Sequence, residues 1–220
     1  MASDTTPVIT IDGPSASGKG TVAQLVANEL GFHYLDSGAL YRLVALKAMQ
    51  TAVDLTNEKN LSDIAKNLDV VFVNNETRLD GIDVSNFIRE EQCGLNASKI
   101  ASFQQVRQSL MTRQRAFCQK PGLVTDGRDM GSIIFPNADL KIFLTASAKI
   151  RAKRRYNQLI EKGINANIAD LLKDIQLRDE RDSNRSLAPL QHNTDARLLD
   201  TTTLSITQAV KEVLSWYSRI

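Results

Sequence analysis

Apolar and polar positions change period several times along this chain. "PVITID" is a short β-branched run broken by glycine, and "GKGTVAQLVANELG" then carries apolar residues at helical spacing until Gly31, a natural C-cap. The order this predicts is strand, glycine loop, helix. "FHYLD" reads as a second strand, and Ser37 as the cap of a helix over "GALYRLVALKAM". "GLVTDG" and "DLKIFLTAS" are apolar runs suited to buried parallel strands, and "ARLLDTT" followed by "LSITQAVKEVLSWY" repeats the alternation. The expected fold is α/β, a parallel sheet with helices on both faces and ligands at the carboxyl ends of its strands.

Two stretches depart from this rhythm. From about Leu61 to Asn96 the chain shows "LDVVFV", the turn-rich "NNETRLDG" and "IDVSNFI", the pattern of a small inserted antiparallel meander. Further on, "AKIRAKRRYNQLIEKG" and "NIADLLKDIQLRDERDSNRS" are helical and charged. Arg151, Arg154 and Arg155 share one helical face, and Arg178, Arg181, Asp182 and Arg185 another. Arg151 reads better as a solvated surface charge than as a functional group. The expected division is a core over 1–60, an insert over 61–97, core again over 98–153, a charged helical segment over 154–168, and core with a C-terminal helix over 169–220.

The first glycine loop is the strongest chemical signal. Gly13, Pro14, Ser15, Ala16, Ser17, Gly18 and Lys19 match a phosphate-binding loop, directly after a strand pattern and before a helix pattern. Its glycines let backbone N–H groups approach an anion at a helix N-terminus, and Lys19 adds a point charge. Such a loop places the fold among P-loop NTPases. Gly20 stands where the common loop has Ser or Thr to ligate magnesium. Thr21, turned by about a hundred degrees on the helix, takes that role through an altered loop, or the ion keeps its water and leans on substrate phosphates.

The G-K-G-T arrangement resembles nucleoside monophosphate kinases, and a kinase joining two phosphorylated substrates needs arginines converging from separate segments. Arg42 in "DSGALYR", Arg107 in "FQQVRQ", Arg128 in "DGRDMG", and Arg178, Arg181 and Arg185 in "RDERDSNR" are the candidates. Asp126 ends an apolar strand, where a carboxylate can hold a magnesium-bound water. Asp129, which a phosphate would repel, points instead to a donor on the acceptor substrate.

Composition narrows the alternatives. Lys and Arg number 27 against 25 acids, a net charge of +2, so the whole molecule has no general attraction for nucleic acid or an anionic membrane. Neither a signal peptide nor a membrane-spanning run is visible, and a cytoplasmic, monomeric protein is expected. Cys93 and Cys118 form no metal or redox motif and are expected as reduced thiols, and His33 and His192 lack metal-ligand spacing.

"ITIDGPSASGKGT", "LDSGALYR", "DGRDMGSIIFP", "KIFL", "RDERDSNRSLAPL" and "LDTTTLSI" together resemble the bacterial cytidylate kinase family, from about Val8 to about Trp216. The resemblance implies ATP as phosphoryl donor, Mg2+, CMP or dCMP as acceptor, and a core with an acceptor-binding insert and a mobile lid. It implies that Ser37 and Arg42 bind the acceptor near its phosphate, and that Ser98, Arg107 and Asp129 contact the cytosine. Arg128 and Arg185, with Arg181, would neutralise phosphate charge, while Arg178 and Asp182 would reach the sugar. The competing readings are a P-loop kinase for another small acceptor such as UMP, and a nucleotide-dependent switch or nucleic-acid-binding module.

Overall fold

The computed structural model describes residues 6–73, 76–161, 163–185 and 187–220. In chain order its strands are β1 (Val8–Asp12), β2 (His33–Asp36), β3 (Val70–Val73), β4 (Glu76–Leu79), β5 (Ile82–Asp83), β6 (Leu123–Gly127), β7 (Leu140–Thr145) and β8 (Arg197–Asp200). The helices are α1 (Lys19–Leu30), α2 (Ser37–Gln50), α3 (Glu58–Lys66), α4 (Glu91–Ile100), α5 (Gln104–Ala116), α6 (Ala148–Glu161), α7 (Ile168–Ser183) and α8 (Ile206–Tyr217). By packing, the chain falls into two units, Met1–Leu35 with Phe117–Ile220, and Asp36–Ala116.

The first unit is built on a five-stranded parallel sheet in the order β2-β6-β1-β7-β8. Every residue of β1 and of β6 is buried, as a strand covered on both faces requires. The register pairs Val8 with Leu123 through to Asp12 with Gly127, so both strands end level and deliver Gly13 and Arg128 to the same edge. Ile9, Ile11, Val124, Ile142 and Leu144 pack with Val22 and Val26 of α1 and Val210 and Val213 of α8. α1 starts from Gly18 and stops at Gly31, both left-handed, with the Gly31 N–H bonded back to Ala27 and Asn28, the C-cap its sequence predicts.

The second unit corrects two details. Asp36, not Ser37, caps α2: its carboxylate accepts from the Ala39 N–H at 3.1 Å, while Ser37 is the first helical residue. An acid at the last strand residue satisfies a free helix N–H and favours the positive end of the helix dipole. The antiparallel sheet β3-β4-β5 is confined to Val70–Asp83, because Leu61, Ile64 and Ala65 lie at helical spacing behind an Asn57 cap and form α3. Within the sheet, Asp80 and Gly81 both take positive φ (51° and 79°), the tight hairpin turn their pairing favours. Asn74 and Asn75, read as part of the meander's turns, lie outside the described residues. Among the described residues no helix is long and apolar enough to cross a membrane.

Where β1 ends, the backbone of Gly13 runs against β7: a Cβ there would sit 2.0 Å from the Leu144 carbonyl oxygen. Neither strand can yield, since both are central. Gly13→Ala is expected to cost on the order of 3 kcal/mol of stability, checked by urea unfolding.

Candidate active site

The phosphate loop leaves the carboxyl end of β1 and runs into α1. Ala16 and Gly18 adopt positive φ, 56° and 94°, which turns successive peptide units and prepares the loop to offer N–H groups. Lys19 lies back over the loop, its Nζ 3.4 Å from the Pro14 carbonyl and 3.9 Å from Asp126 Oδ2. The Ser17 hydroxyl is buried and makes no hydrogen bond among the described residues.

Gly20 faces the sheet edge. A Cβ on it would lie 3.4 Å from the Tyr34 hydroxyl and 3.7 Å from both carboxylate oxygens of Asp126. That hydroxyl donates to Asp126 Oδ1 at 2.8 Å. The place where common loops carry a serine or threonine therefore looks onto a carboxylate already held by a tyrosine. Tyr34 is a residue that sequence reasoning passed over as part of a strand. Thr21, the next residue, is exposed.

A second carboxylate, Asp12, also escaped notice. It is the last residue of β1, buried, and its two oxygens accept from the Met130 and Gly131 N–H groups at 2.9 and 2.8 Å. It thereby ties the start of the phosphate loop to a π-helical turn, Met130–Ile134, directly after Arg128 and Asp129. Burial pushes the Asp12 carboxyl up to about 6, with neighbouring Asp129 adding to the rise, and the two N–H bonds and Arg128 opposing it.

The arginines gather around Asp182. Arg128 Nε donates to Asp182 Oδ2 at 2.7 Å, its Nη2 reaches Ser15 Oγ at 3.3 Å, and Arg185 Nη2 donates to Asp182 Oδ1. Asp182 is 1% exposed. Burial alone would raise its pKa, but the Arg128 and Arg185 charges outweigh it and hold the carboxyl below the ordinary carboxylate range. The expectation of one helical face for Arg178, Arg181, Asp182 and Arg185 is corrected: α7 ends at Ser183, and Arg185 reaches Asp182 from beyond the helix. Arg178 adds a further positive charge near Asp182, while Arg181 is exposed.

Arg151 is likewise corrected. It is 5% exposed rather than solvated, forked onto Asp179 at 2.9 and 2.5 Å, with contacts to the Ser15 and Ala146 carbonyls. The apolar spacing of α6 gave no sign of this. Its partners, Asp179 on α7 28 residues away and the Ser15 carbonyl 136 residues back, explain it.

In the unit Asp36–Ala116 the predicted residues occupy three helices. Ser37 is buried at the start of α2. Arg42, one turn further, donates to the Ile88 and Glu90 carbonyls at 2.6 and 3.3 Å and packs against Gly94, where a Cβ would come within 2.8 Å of the guanidinium. Ser98 follows Gly94 by four residues on α4, and its buried hydroxyl makes no hydrogen bond among the described residues. Arg107 on α5 donates to the Ala101 carbonyl at 3.2 Å. A buried hydroxyl without a partner costs stability unless something else satisfies it.

The cytidylate kinase family model matches residues 9–219. The chain belongs to the cytidylate kinase family. A relative named cytidylate kinase from Nitrosomonas europaea is 59% identical over 218 residues, covering 99% of this chain and 98% of the relative. Another of that name, from Burkholderia vietnamiensis, is 58% identical over 212 residues, 96% of this chain and 93% of the relative. The fold resembles that of a gluconokinase from Sinorhizobium meliloti at TM-score 0.52 and 14% identity, covering 97% of this chain and 92% of that one. An uncharacterized protein from Eubacterium ventriosum reaches TM-score 0.55 at 10% identity, with 97% and 99% covered.

For this member of the cytidylate kinase family, the edge where β1 and β6 end combines the Gly13–Thr21 loop, Lys19, an arginine cluster paired with Asp182, and the carboxylates of Asp12 and Asp126, which differ in character. Asp126 is held ready by Tyr34, and Asp12 serves the backbone. Both histidines lie against backbone carbonyls, His33 at 3.0 Å from Lys120 O and His192 at 2.7 Å from Ala196 O, and both cysteines are free thiols.

Because the folded Asp12 pKa lies above its ordinary 3.8, the stability of the folded state associated with its neutral form is fully present below about pH 4 and is lost as pH rises through about 6. Relative to Asp12→Asn, the wild-type protein is expected to lose about 3 kcal/mol across that window. Urea unfolding of both proteins at pH 4, 5, 6 and 7 measures it, and a difference that stays constant with pH would contradict the assignment.

Proposed function

We infer that this chain is a nucleoside monophosphate kinase that transfers the γ-phosphoryl group of ATP to CMP or dCMP, giving ADP and CDP or dCDP. The observation that carries the reading is the family match over residues 9–219, which spans both the phosphate loop and the distant arginine segment. In-line phosphoryl transfer needs positioning and charge neutralisation with little covalent chemistry. Gly13 to Thr21 hold the donor phosphates, with Lys19 toward the β and γ groups. Arg128 and Arg185, with Arg181, offset charge on the transferring group. The acceptor phosphate is already an anion, so no general base is required.

Magnesium fits the residues present. Among the described residues no group of three or more His, Cys, Asp or Glu side chains could hold a metal ion, so a protein cage is not what the chain offers. It offers Asp126, buried beside Lys19 and fixed by Tyr34, a carboxylate suited to an ion that keeps water and substrate phosphates as its other ligands. Thr21 is the second candidate. When bound, magnesium supplies charge neutralisation across the β and γ phosphates.

On the acceptor side we assign Ser37 and Arg42 to the phosphate, and Ser98, Arg107 and Asp129 to the cytosine. Cytosine presents an N4 donor beside N3 and O2 acceptors, which a carboxylate with an arginine or hydroxyl can pair. Uracil would turn an acceptor toward Asp129. Arg178 and Asp182 are assigned to the sugar. Since both Asp182 oxygens are engaged by arginines, a sugar hydroxyl would have to share or displace one of them. The insert over 61–97 and the lid over 154–168 are the segments assigned to acceptor binding and closure, which would exclude water from the transfer.

With ATP as donor, kcat/KM for CMP or dCMP is expected to exceed that for UMP by about a hundredfold. A coupled ADP-release assay with CMP, dCMP, UMP and AMP in parallel checks it, and equal use of UMP would remove Asp129 from base recognition. Arg185→Ala is expected to lower kcat by roughly a hundred- to a thousandfold with an unaltered far-UV circular dichroism spectrum. Unchanged turnover would take Arg185 out of the mechanism.

A further inference from the structure

In a trans peptide the carbonyl of one residue and the N–H of the next point in opposite directions. A loop that presents N–H groups to an anion must therefore turn the paired carbonyls the other way and satisfy them there. Two arginines of α6 meet two such carbonyls. Arg151 Nη1 donates to the Ser15 carbonyl at 3.2 Å, and Arg154 Nη1 to the Ser17 carbonyl at 2.8 Å. Those peptide units carry the N–H groups of Ala16 and Gly18.

Each guanidinium is locked on its other edge. Arg151 is forked onto Asp179 of α7 and bonded to the Ala146 carbonyl at 2.8 Å. Arg154 donates to the Thr201 carbonyl at 2.6 Å and the Thr201 hydroxyl at 3.1 Å, and that hydroxyl also lies 3.0 Å from the Thr145 carbonyl at the end of β7. The anchor is thus continuous from the central sheet to the loop. It is also needed: Ala16 sits at φ 56°, a conformation an alanine holds only where its surroundings impose it.

We propose that Arg151 and Arg154 are positioning residues for the donor phosphates, fixing the Ser15 and Ser17 carbonyls outward so that the Ala16 and Gly18 N–H groups face the anion before it arrives. The inference rests on the reading of Gly13–Thr21 as the donor's phosphate site. A planar fork with several donors bridges a loop carbonyl and a distant anchor at once, which a lysine ammonium does not reproduce. One consequence is that the first turns of α6 belong to the loop's scaffold, so any closing motion begins beyond Arg154.

Arg154 is the cleaner test, because removing Arg151 would strand Asp179. For Arg154→Ala, the Kd for ATP by calorimetry is expected to rise about ten- to a hundredfold, as loss of oriented bonds to a charged group would produce. The Kd for CMP is expected to stay as in the wild type. A downfield displacement of the Gly18 amide proton at saturating ATP is expected in the wild type and is expected to be lost in the variant, and Arg154→Lys should not restore it. Thr201→Val, which removes a hydroxyl that anchors Arg154 and itself reaches the Ser17 carbonyl at 3.4 Å but leaves the guanidinium and its bond to the Thr201 carbonyl, should shift the ATP Kd in the same direction by less, and it carries the test if the alanine variant does not fold. Unchanged ATP affinity, an equal loss of CMP affinity, or weakened ATP binding with a normal Gly18 displacement would each overturn the proposal. A wild-type protein that fails to bind ATP would instead sink the reading of the loop itself.

Discussion

A backbone loop can bind a polyphosphate only if its carbonyls are satisfied away from the anion, and that constraint organises the first unit of this protein. Ser15 and Ser17 pass their carbonyls to Arg151 and Arg154, the Gly13 N–H is bonded to the Gly127 carbonyl at 3.3 Å, and the residue before the loop, Asp12, bonds the turn after Arg128. None of these contacts involves the loop's own side chains. The loop's shape is imposed from β6, β7, α6 and the segment after β8, and the level ends of β1 and β6 bring those elements within reach.

Charge follows the same economy. Arg128, Arg185 and Arg178 would repel one another, and a buried carboxylate between them makes the cluster tolerable. Asp182 stays ionised although burial opposes it, because two guanidiniums donate to it directly. The cluster is held together by the protein's own carboxylate.

The strands and helices of the first unit could be read from the chain because each has a period that its neighbours do not disturb: "PVITID", "GLVTDG" and "DLKIFLTAS" became β1, β6 and β7. The phosphate loop was visible for the same local reason, seven residues in a row. What escaped depended on partners far away. Arg151 looked like a surface charge because Asp179 lies 28 residues on, and Asp12 looked like a strand end because its two N–H donors lie 118 and 119 residues on. Tyr34 was hidden in a strand until β6 placed Asp126 beside it, 92 residues later. The meander was drawn too long because short alternating runs near Val70 masked the helical spacing of Leu61, Ile64 and Ala65. Local pattern reveals elements. The contacts that aim a site are long-range and leave no period.

Gly20 joins these lines. A serine there would bring its hydroxyl toward Asp126, the arrangement of loops that ligate magnesium through both groups. With glycine, the Tyr34 hydroxyl stands beside Asp126 instead and donates to it, so the carboxylate is oriented from the sheet rather than from the loop. A tyrosine held in β2 cannot move with α1. The loop and the carboxylate are thus fixed by separate parts of the fold.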